Sequence, residues 1–243
     1  MNNFFNINIA FNHDAVESVI QEHVSRKKKG FVCVVDGNIV SVAHRDPHYR
    51  NVVNCSIVNL CDGSYLALLY NLLKKKSVKP YIGGDLFLKM IGSKQYRHLF
   101  LGSTSVVLDA LEIRLQRIDT NIESANFMPL PFLPAAEFDY PGIASVINRQ
   151  GPDFIWVSLG APKQEIFMHR LLPYLDKGVM VGIGAVFNFQ SGIKSLRRAP
   201  DIIVKLKLEW LYRLFQEPKK QWRKNQSFLR VLPMLLIAEM KKK

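Results

Sequence analysis

The string Val157–Glu165, VSLGAPKQE, closes an apolar run and opens a helical one. Gly160 lets a ligand approach the backbone closely. Pro162 suits the first turn of a helix, where free N–H groups attract an anion. Lys163 adds positive charge. The Gln164 amide offers a donor and an acceptor to a sugar hydroxyl, a base edge or a phosphate oxygen. Glu165 reads as an acid stabilised by a helix N-terminus. Together these residues point to a phosphate site, and an ordinary βα turn has the same outline.

Asp62–Gly63 follows the apolar SIVNL and precedes SYLALLYNLL. A carboxylate at the carboxyl end of a strand is placed to act as a general base, and Asp is equally a good helix N-cap. Asp36–Gly37–Asn38 has the same layout, again as cap or ligand contact. Gly83–Gly84–Asp85 reads as a flexible turn before a short helix. Gly102–Ser103–Thr104 outlines a nucleotide loop but lacks both GxGxxG and GxxxxGK[ST]. The chain contains no Asp-x-Asp, no HExxH and no GxSxG, and its six histidines are scattered. No metal site and no cofactor is therefore expected.

Short apolar runs alternate with helical periods. Strands are expected at Phe4–Ile9, Phe31–Val35, Ser56–Leu60, Arg97–Leu101, Asn126–Leu130, Phe154–Leu159 and Val179–Phe187. Helices are expected at Asp14–Lys28, Pro47–Asn54, Ser64–Leu73, Thr104–Gln116, Pro141–Arg149, Pro162–Leu172 and Pro200–Phe215. Asp139 is placed to cap the helix at Pro141. This alternation predicts an α/β fold: a Rossmann-like, mostly parallel sheet with helices on both faces. Such sheets bind ligands at the carboxyl ends of their strands, which gathers Asp36–Asn38, Asp62–Gly63, Gly102–Thr104 and Gly160–Glu165 along one edge. After Glu217–Pro218 the pattern changes. Residues 1–217 read as the α/β domain and 218–243 as a basic, amphipathic helical appendage, with Pro233 interrupting any long helix.

The 243 residues are 48% apolar and 22% charged, a globular composition. The longest apolar stretches, Val179–Val186 and Leu232–Ala238, fall far short of the roughly 20 residues that span a bilayer. The N-terminus lacks a basic region and does not read as a secretory signal. Three cysteines without a CxxC pair argue for a reducing cytoplasm. Of the net +13, most lies from Lys194 onward, where 14 Lys and Arg meet four acids. Such an end calls for an anionic partner: phospholipid, phosphorylated ligand or nucleic acid. A non-enzymatic nucleotide- or RNA-binding α/β protein with a basic tail has this charge balance too. The nearly balanced body and the absence of aromatic RNA motifs argue against nucleic acid. An epimerase would want a dinucleotide fingerprint, which is missing.

The string from Gly182 to Lys224 contains a glycine-rich strand and loop (Gly182–Gly192), Arg198–Pro200 (RAP), Leu208–Leu214 (LEWLYRL) and Glu217–Arg223. With GAPKQE and Asp62–Gly63 upstream, it resembles the bacterial WecG/TagA/CpsF glycosyltransferases over about residues 30 to 225. The resemblance implies an inverting, metal-independent transfer of an N-acetylhexosamine or related sugar. It implies a UDP-sugar donor, a polyprenyl-diphosphate-linked sugar acceptor, and peripheral work on the cytoplasmic face of the membrane in cell-surface polysaccharide synthesis. The cationic C-terminal segment suits an anionic membrane surface there. The resemblance also implies that Asp62 is the catalytic base and that Asn38, Gly63, Gly160, Lys163 and Gln164 bind substrate. Arg213, Lys220 and Arg223 would fold over the site to neutralise the leaving diphosphate. Three departures follow from the same resemblance. Asp36 replaces a threonine, so it either points away from a diphosphate or changes the donor contacts. Pro80–Tyr81 stand where an arginine is common. Lys220 replaces an arginine, keeping charge but losing the bidentate fork.

Overall fold

The structure, a computed structural model, describes residues 1–193 and 218–242. The described residues form eight strands: β1 (Asn2–Phe4), β2 (Ile7–Ile9), β3 (Lys29–Val35), β4 (Val58–Cys61), β5 (His98–Gly102), β6 (Phe127–Met128), β7 (Phe154–Ser158) and β8 (Gly178–Gly182). The last six form one parallel sheet in the order β4-β3-β8-β7-β5-β6. The central strands are apolar throughout because both faces are covered. On β3 the alternation is plain: Phe31, Cys33 and Val35 join one core and Val32 the other.

The helices divide between these cores. On the first face lie α2 (Gly37–Arg45), α3 (Pro47–Asn54), α4 (Ser64–Lys74), α7 (Tyr140–Gln150) and α8 (Lys163–Leu171), through Ile39, Tyr49, Leu66, Ile143 and Phe167. On the second lie α1 (His13–Ser25), α5 (Gly83–Gly92), α6 (Ser105–Leu115) and α9 (Val186–Ser191), through Ile20, Phe87, Leu108 and Phe187. Strand β8 therefore sends its chain to the second face, while its neighbours β3 and β7 send theirs to the first. Adjacent loops that part in opposite directions leave a crevice at the sheet edge.

Two local expectations hold. The helix expected from Pro47 is α3, which Asp46 caps, and Asp139 caps α7 through the Gly142 N–H at 3.0 Å. Others are corrected. Phe4–Ile9 is not one strand but a hairpin, β1 pairing antiparallel with β2, and Phe5 and Asn6 turn at φ 52 and 62. Gly83 and Gly84 are not a turn but the first residues of α5. The run expected as a strand to Phe187 stops at Gly182, and α9 takes over. Helix α2 had no strong signal, because it is short and begins on glycine.

Pro233, expected to interrupt a long helix, lies inside the C-terminal helix (Pro218–Met240). Pro233 lies on the exposed side, so the carbonyl it frees meets water. Phe228, Val231 and Leu235 are buried in the first core against α2 and α4, so the helix is docked on the sheet body. The expected helix at Pro200–Phe215 lies outside the described residues. Among the described residues no helix is long and apolar enough to cross a membrane.

Glu239, 2% exposed, fastens this helix. Its carboxylate pairs with Lys74 at 2.8 Å and Lys242 at 3.1 Å and accepts the Phe5 N–H. Burial alone would raise its pKa, but the two lysines and the N–H outweigh burial and hold it below the ordinary value. A depressed carboxyl stabilises the fold above its unfolded pKa near 4.3, and that contribution disappears as pH falls through the folded value. Glu239→Gln is expected to cost about 1–2 kcal/mol at neutral pH, the half-exposed lysines limiting the loss. Urea melts should show the gap from wild type closing between about pH 5 and pH 3.

Candidate active site

The crevice holds a cavity of about 600 Å³. Strand β3 delivers Asp36 to it, β4 delivers Asp62, the β7–α8 turn Gly160, the first turn of α8 Lys163 and Gln164, and the β8–α9 turn Gly184. Phe132 and Leu133 form a lip, with the Phe132 ring fully exposed. A neighbouring hollow towards Ser103, Thr104 and Asn188 shares Phe132, Lys163 and Gly184 with it.

Asp62 follows the last residue of β4, its N–H bonded to the Val35 carbonyl at 3.0 Å. It is not the cap of α4: that position is Gly63, with no side-chain cap bond. Instead the Asp62 carboxylate accepts the Gly83 N–H at 2.8 Å, at the start of α5. The positive end of α5 thus faces the carboxylate. Gly83 is required for this approach, since a Cβ there would sit 2.9 Å from Val34 Cγ1.

Asp36 is a cap, accepting the Ile39 N–H at 3.0 Å, and it also borders the cavity. Asn38 lies half-buried in the first turn of α2 and is not among the cavity-lining residues. Gly63 is not among them either, and a Cβ there would meet only ordinary contacts. Gly160 stands at φ +75, a conformation that favours glycine. Lys163 Nζ donates to the Leu133 carbonyl at 3.1 Å and lies 4.7 Å from the Phe132 ring centroid, tying α8 to the lip. Tyr81 turns away from the cavity and donates its hydroxyl to Glu17 at 2.6 Å, so no cation enters from the Pro80–Tyr81 position. Arg213 lies outside the described residues, and Lys220 and Arg223 belong to the first turns of the C-terminal helix. Among the described residues that line the cavity, Lys163 is the one cation beside two carboxylates.

Gln164 is 3% exposed. Its oxygen accepts the N–H groups of Gly160 at 3.3 Å and Gly184 at 3.1 Å, and its NH2 donates to Glu165 at 2.8 Å. It therefore clasps two loops from within. Glu165, in the first turn of α8 as expected, is fully buried, and its other oxygen accepts the Tyr49 hydroxyl at 3.0 Å. The sequence did carry a signal for this. Phe167, Met168 and Leu171 lie at i+3, i+4 and i+7 from Gln164, which sets the glutamine on the buried stripe of α8, and Glu165 sits at i−3 from Met168.

These features define a Rossmann-like α/β protein whose cavity opens at the carboxyl edge of its sheet. The chain belongs to the glycosyl transferase WecG/TagA/CpsF family, whose profile matches residues 3–243. It is a glycosyltransferase. It is 28% identical over 220 residues to the N-acetylglucosaminyldiphosphoundecaprenol N-acetyl-beta-D-mannosaminyltransferase of Bacillus spizizenii, covering 89% of this chain and 82% of that one. The similarly named protein of Bacillus subtilis is 27% identical over 231 residues, 94% of this chain and 87% of its own. That of Staphylococcus aureus is 27% identical over 218 residues, 88% of this chain and 81% of its own.

The fit of Gln164 against β8 depends on Gly182. A Cβ there would lie 2.7 Å from Met168 Cε and 3.0 Å from Gln164 Nε2. The methionine end can swing aside, but the amide is held by three hydrogen bonds. Gly182→Ala is expected to displace the clasp and lower kcat/KM roughly 10–100-fold. Circular dichroism should show an intact fold.

Proposed function

We propose that this chain transfers an N-acetylhexosamine, or a derivative of one, from a UDP donor to a sugar carried on polyprenyl diphosphate, inverting the anomeric centre. The product would feed a bacterial cell-surface polysaccharide. The reading rests on Asp62: a carboxylate anchored by the Gly83 N–H, bordering a cavity large enough for a nucleotide sugar. The names of the relatives supply the substrate class, an N-acetylmannosaminyl group moved to an N-acetylglucosaminyl-diphosphoundecaprenol acceptor.

In this reading Asp62 takes the proton of the acceptor hydroxyl as its oxygen attacks the anomeric carbon. The bond to UDP breaks on the opposite side, which inverts the configuration, and the diphosphate leaves with growing negative charge. Gly160 allows close approach of the donor, and Asn38 and Gly63 stand near the entrances of their helices. Lys163 supplies one positive charge. Arg213, Lys220 and Arg223 would supply the rest, since the described lining is otherwise acidic. Asp36 is held by its cap bond to Ile39, which turns one oxygen to the helix rather than to a diphosphate. Gln164 serves by shaping the walls. Among the described residues no three His, Cys, Asp or Glu side chains gather into a metal cluster. Transfer is proposed to need neither metal nor cofactor, and no nucleic acid is a partner.

Asp62→Asn is expected to lower turnover about 10²–10⁴-fold while sparing donor affinity. Mass analysis of products from a UDP-sugar panel with a lipid-linked N-acetylglucosamine acceptor checks this and identifies the sugar. Near-normal turnover would reduce Asp62 to an anchor for α5. EDTA should leave most activity, and complete loss restored by Mg²⁺ or Mn²⁺ would reveal a metal site.

The peripheral location, on the inner face of the membrane, draws support from the C-terminal helix. Trp222, Leu229, Ile237 and Met240 are exposed on the side away from the buried Val231 and Leu235. Leu68 and Leu72 on the adjoining α4 are exposed as well. Apolar side chains among Lys and Arg suit an anionic surface, each cation being worth about 1 kcal/mol. Deleting the helix would uncover the core under Phe228, so point changes are the cleaner test. Leu229→Ser with Ile237→Ser should release the protein from anionic liposomes while leaving its melting curve in place. Undiminished sedimentation would exclude this face as the membrane contact.

A further inference from the structure

One buried carboxyl is wired to both walls of the cavity. Glu165 Oε2 accepts the hydroxyl of Tyr49 from α3, and Oε1 accepts the Gln164 NH2. The far end of that amide accepts Gly160 N–H from the β7–α8 turn and Gly184 N–H from the β8–α9 turn. A carboxylate can only accept hydrogen bonds, so it dictates which end of the amide faces it. The amide oxygen is left pointing at the two glycines.

We infer that Glu165, steadied by Tyr49, is a positioning residue for the transfer: as a carboxylate it fixes the orientation of Gln164, and Gln164 sets the spacing of the two loops that wall the cavity. This rests on the reading of the cavity as the transfer site. Burying a charge is costly, and a neutral side chain of the same shape would pack there at less cost. What the carboxylate adds is polarity along the chain Tyr49, Glu165, Gln164 and the two glycines.

Protonation undoes that polarity. A proton on Oε1 would face the Gln164 NH2. Turning the amide to accept it would set NH2 against the N–H groups of Gly160 and Gly184. A proton on Oε2 reverses the Tyr49 bond and leaves the hydroxyl hydrogen without its acceptor. Burial raises the Glu165 carboxyl to about 7, against the lowering pull of the bonds from Gln164, its own N–H and Tyr49. The titratable groups facing it are Cys33 of β3, Tyr49 of α3 and, at the end of β3, Asp36. Burial pushes both the Cys33 thiol and the Tyr49 hydroxyl upward, and the Glu165 charge adds to each, so neither competes for the proton near neutrality.

The full chain is assayed across pH with the UDP-sugar and lipid-linked acceptor, and the Gln164 side-chain amide is followed by nitrogen-15 NMR. In the wild type, kcat/KM should rise with pH through about 7. Glu165→Gln imitates the protonated carboxyl and cannot ionise, so its kcat/KM should stay near the acid-side level of the wild type at every pH and show no such limb. Tyr49→Phe removes a donor from the carboxylate, so the limb should move to higher pH by about one unit. A merely structural role would lower the melting temperature and leave the limb in place. An unchanged limb in Glu165→Gln, or one that Tyr49→Phe leaves alone or moves down, overturns the inference. The amide resonance should titrate in the wild type and not in Glu165→Gln. If it does so while no UDP-sugar is turned over, the wiring stands and the functional reading fails. If transfer proceeds and the amide does not titrate, the inference fails and the functional reading stands.

Discussion

An all-parallel sheet obliges every strand to deliver its following loop to the same edge. Here β8 turns to one face while β3 and β7 turn to the other, and that parting opens the cavity. No covalent tie holds the parted loops in place. The Gln164 amide does so, reaching one N–H on each side, and Glu165 behind it keeps the amide from turning. Glycines are the other half of this arrangement. Gly182 leaves room for the amide, and Gly83 lets the start of α5 reach Asp62. The site is thus assembled from backbone N–H groups and a few side chains that hold them, on rigid strand ends rather than on long loops.

The electrostatic balance of the described lining is unusual for a protein proposed to bind a diphosphate. Asp36 and Asp62 face one Lys163, and Lys163 already donates to the Leu133 carbonyl at the lip. Each carboxylate is held at a helix N-terminus, Asp36 at α2 and Asp62 at α5, so part of their charge is absorbed by backbone dipoles. A leaving diphosphate still needs cations. The basic excess of the chain lies from Lys194 onward, beyond these walls in sequence.

The sheet was legible because a parallel strand buried on both faces announces itself as an apolar run, as FIWVS and GVMVG do. Asp62 was legible as a position, since Asp-Gly after a strand has few uses, but not as a partner of Gly83. That contact joins residues 62 and 83 across α4, and nothing local encodes it. Pro233 misled, because a proline is judged by its own residue while its tolerance depends on which side of the helix faces water. The place of Glu165 in a first turn was legible, and its burial was not. A Glu in a first turn is normally a solvated acid, and only the phase of Phe167, Met168 and Leu171 shows that this turn starts inside the core.

The C-terminal helix is joined to the site through the two helices that begin beside the carboxylates. Ser227 and Ser41 share a hydrogen bond of 2.6 Å, and Arg45 donates to the Ser227 carbonyl at 2.9 Å, so the helix is pinned to α2. The Phe228 ring lies 5.2 Å from that of Tyr65, and Glu239 pairs with Lys74 at the other end of α4. Helix α2 starts at the residue after Asp36, and α4 starts two residues after Asp62. The helix that bears exposed Trp222, Leu229 and Ile237 is therefore joined, through α2 and α4, to the elements that follow both carboxylates. That linkage suits the acceptor proposed above, a sugar projecting from a lipid, because the proposed membrane contact and the two carboxylates are joined through α2 and α4.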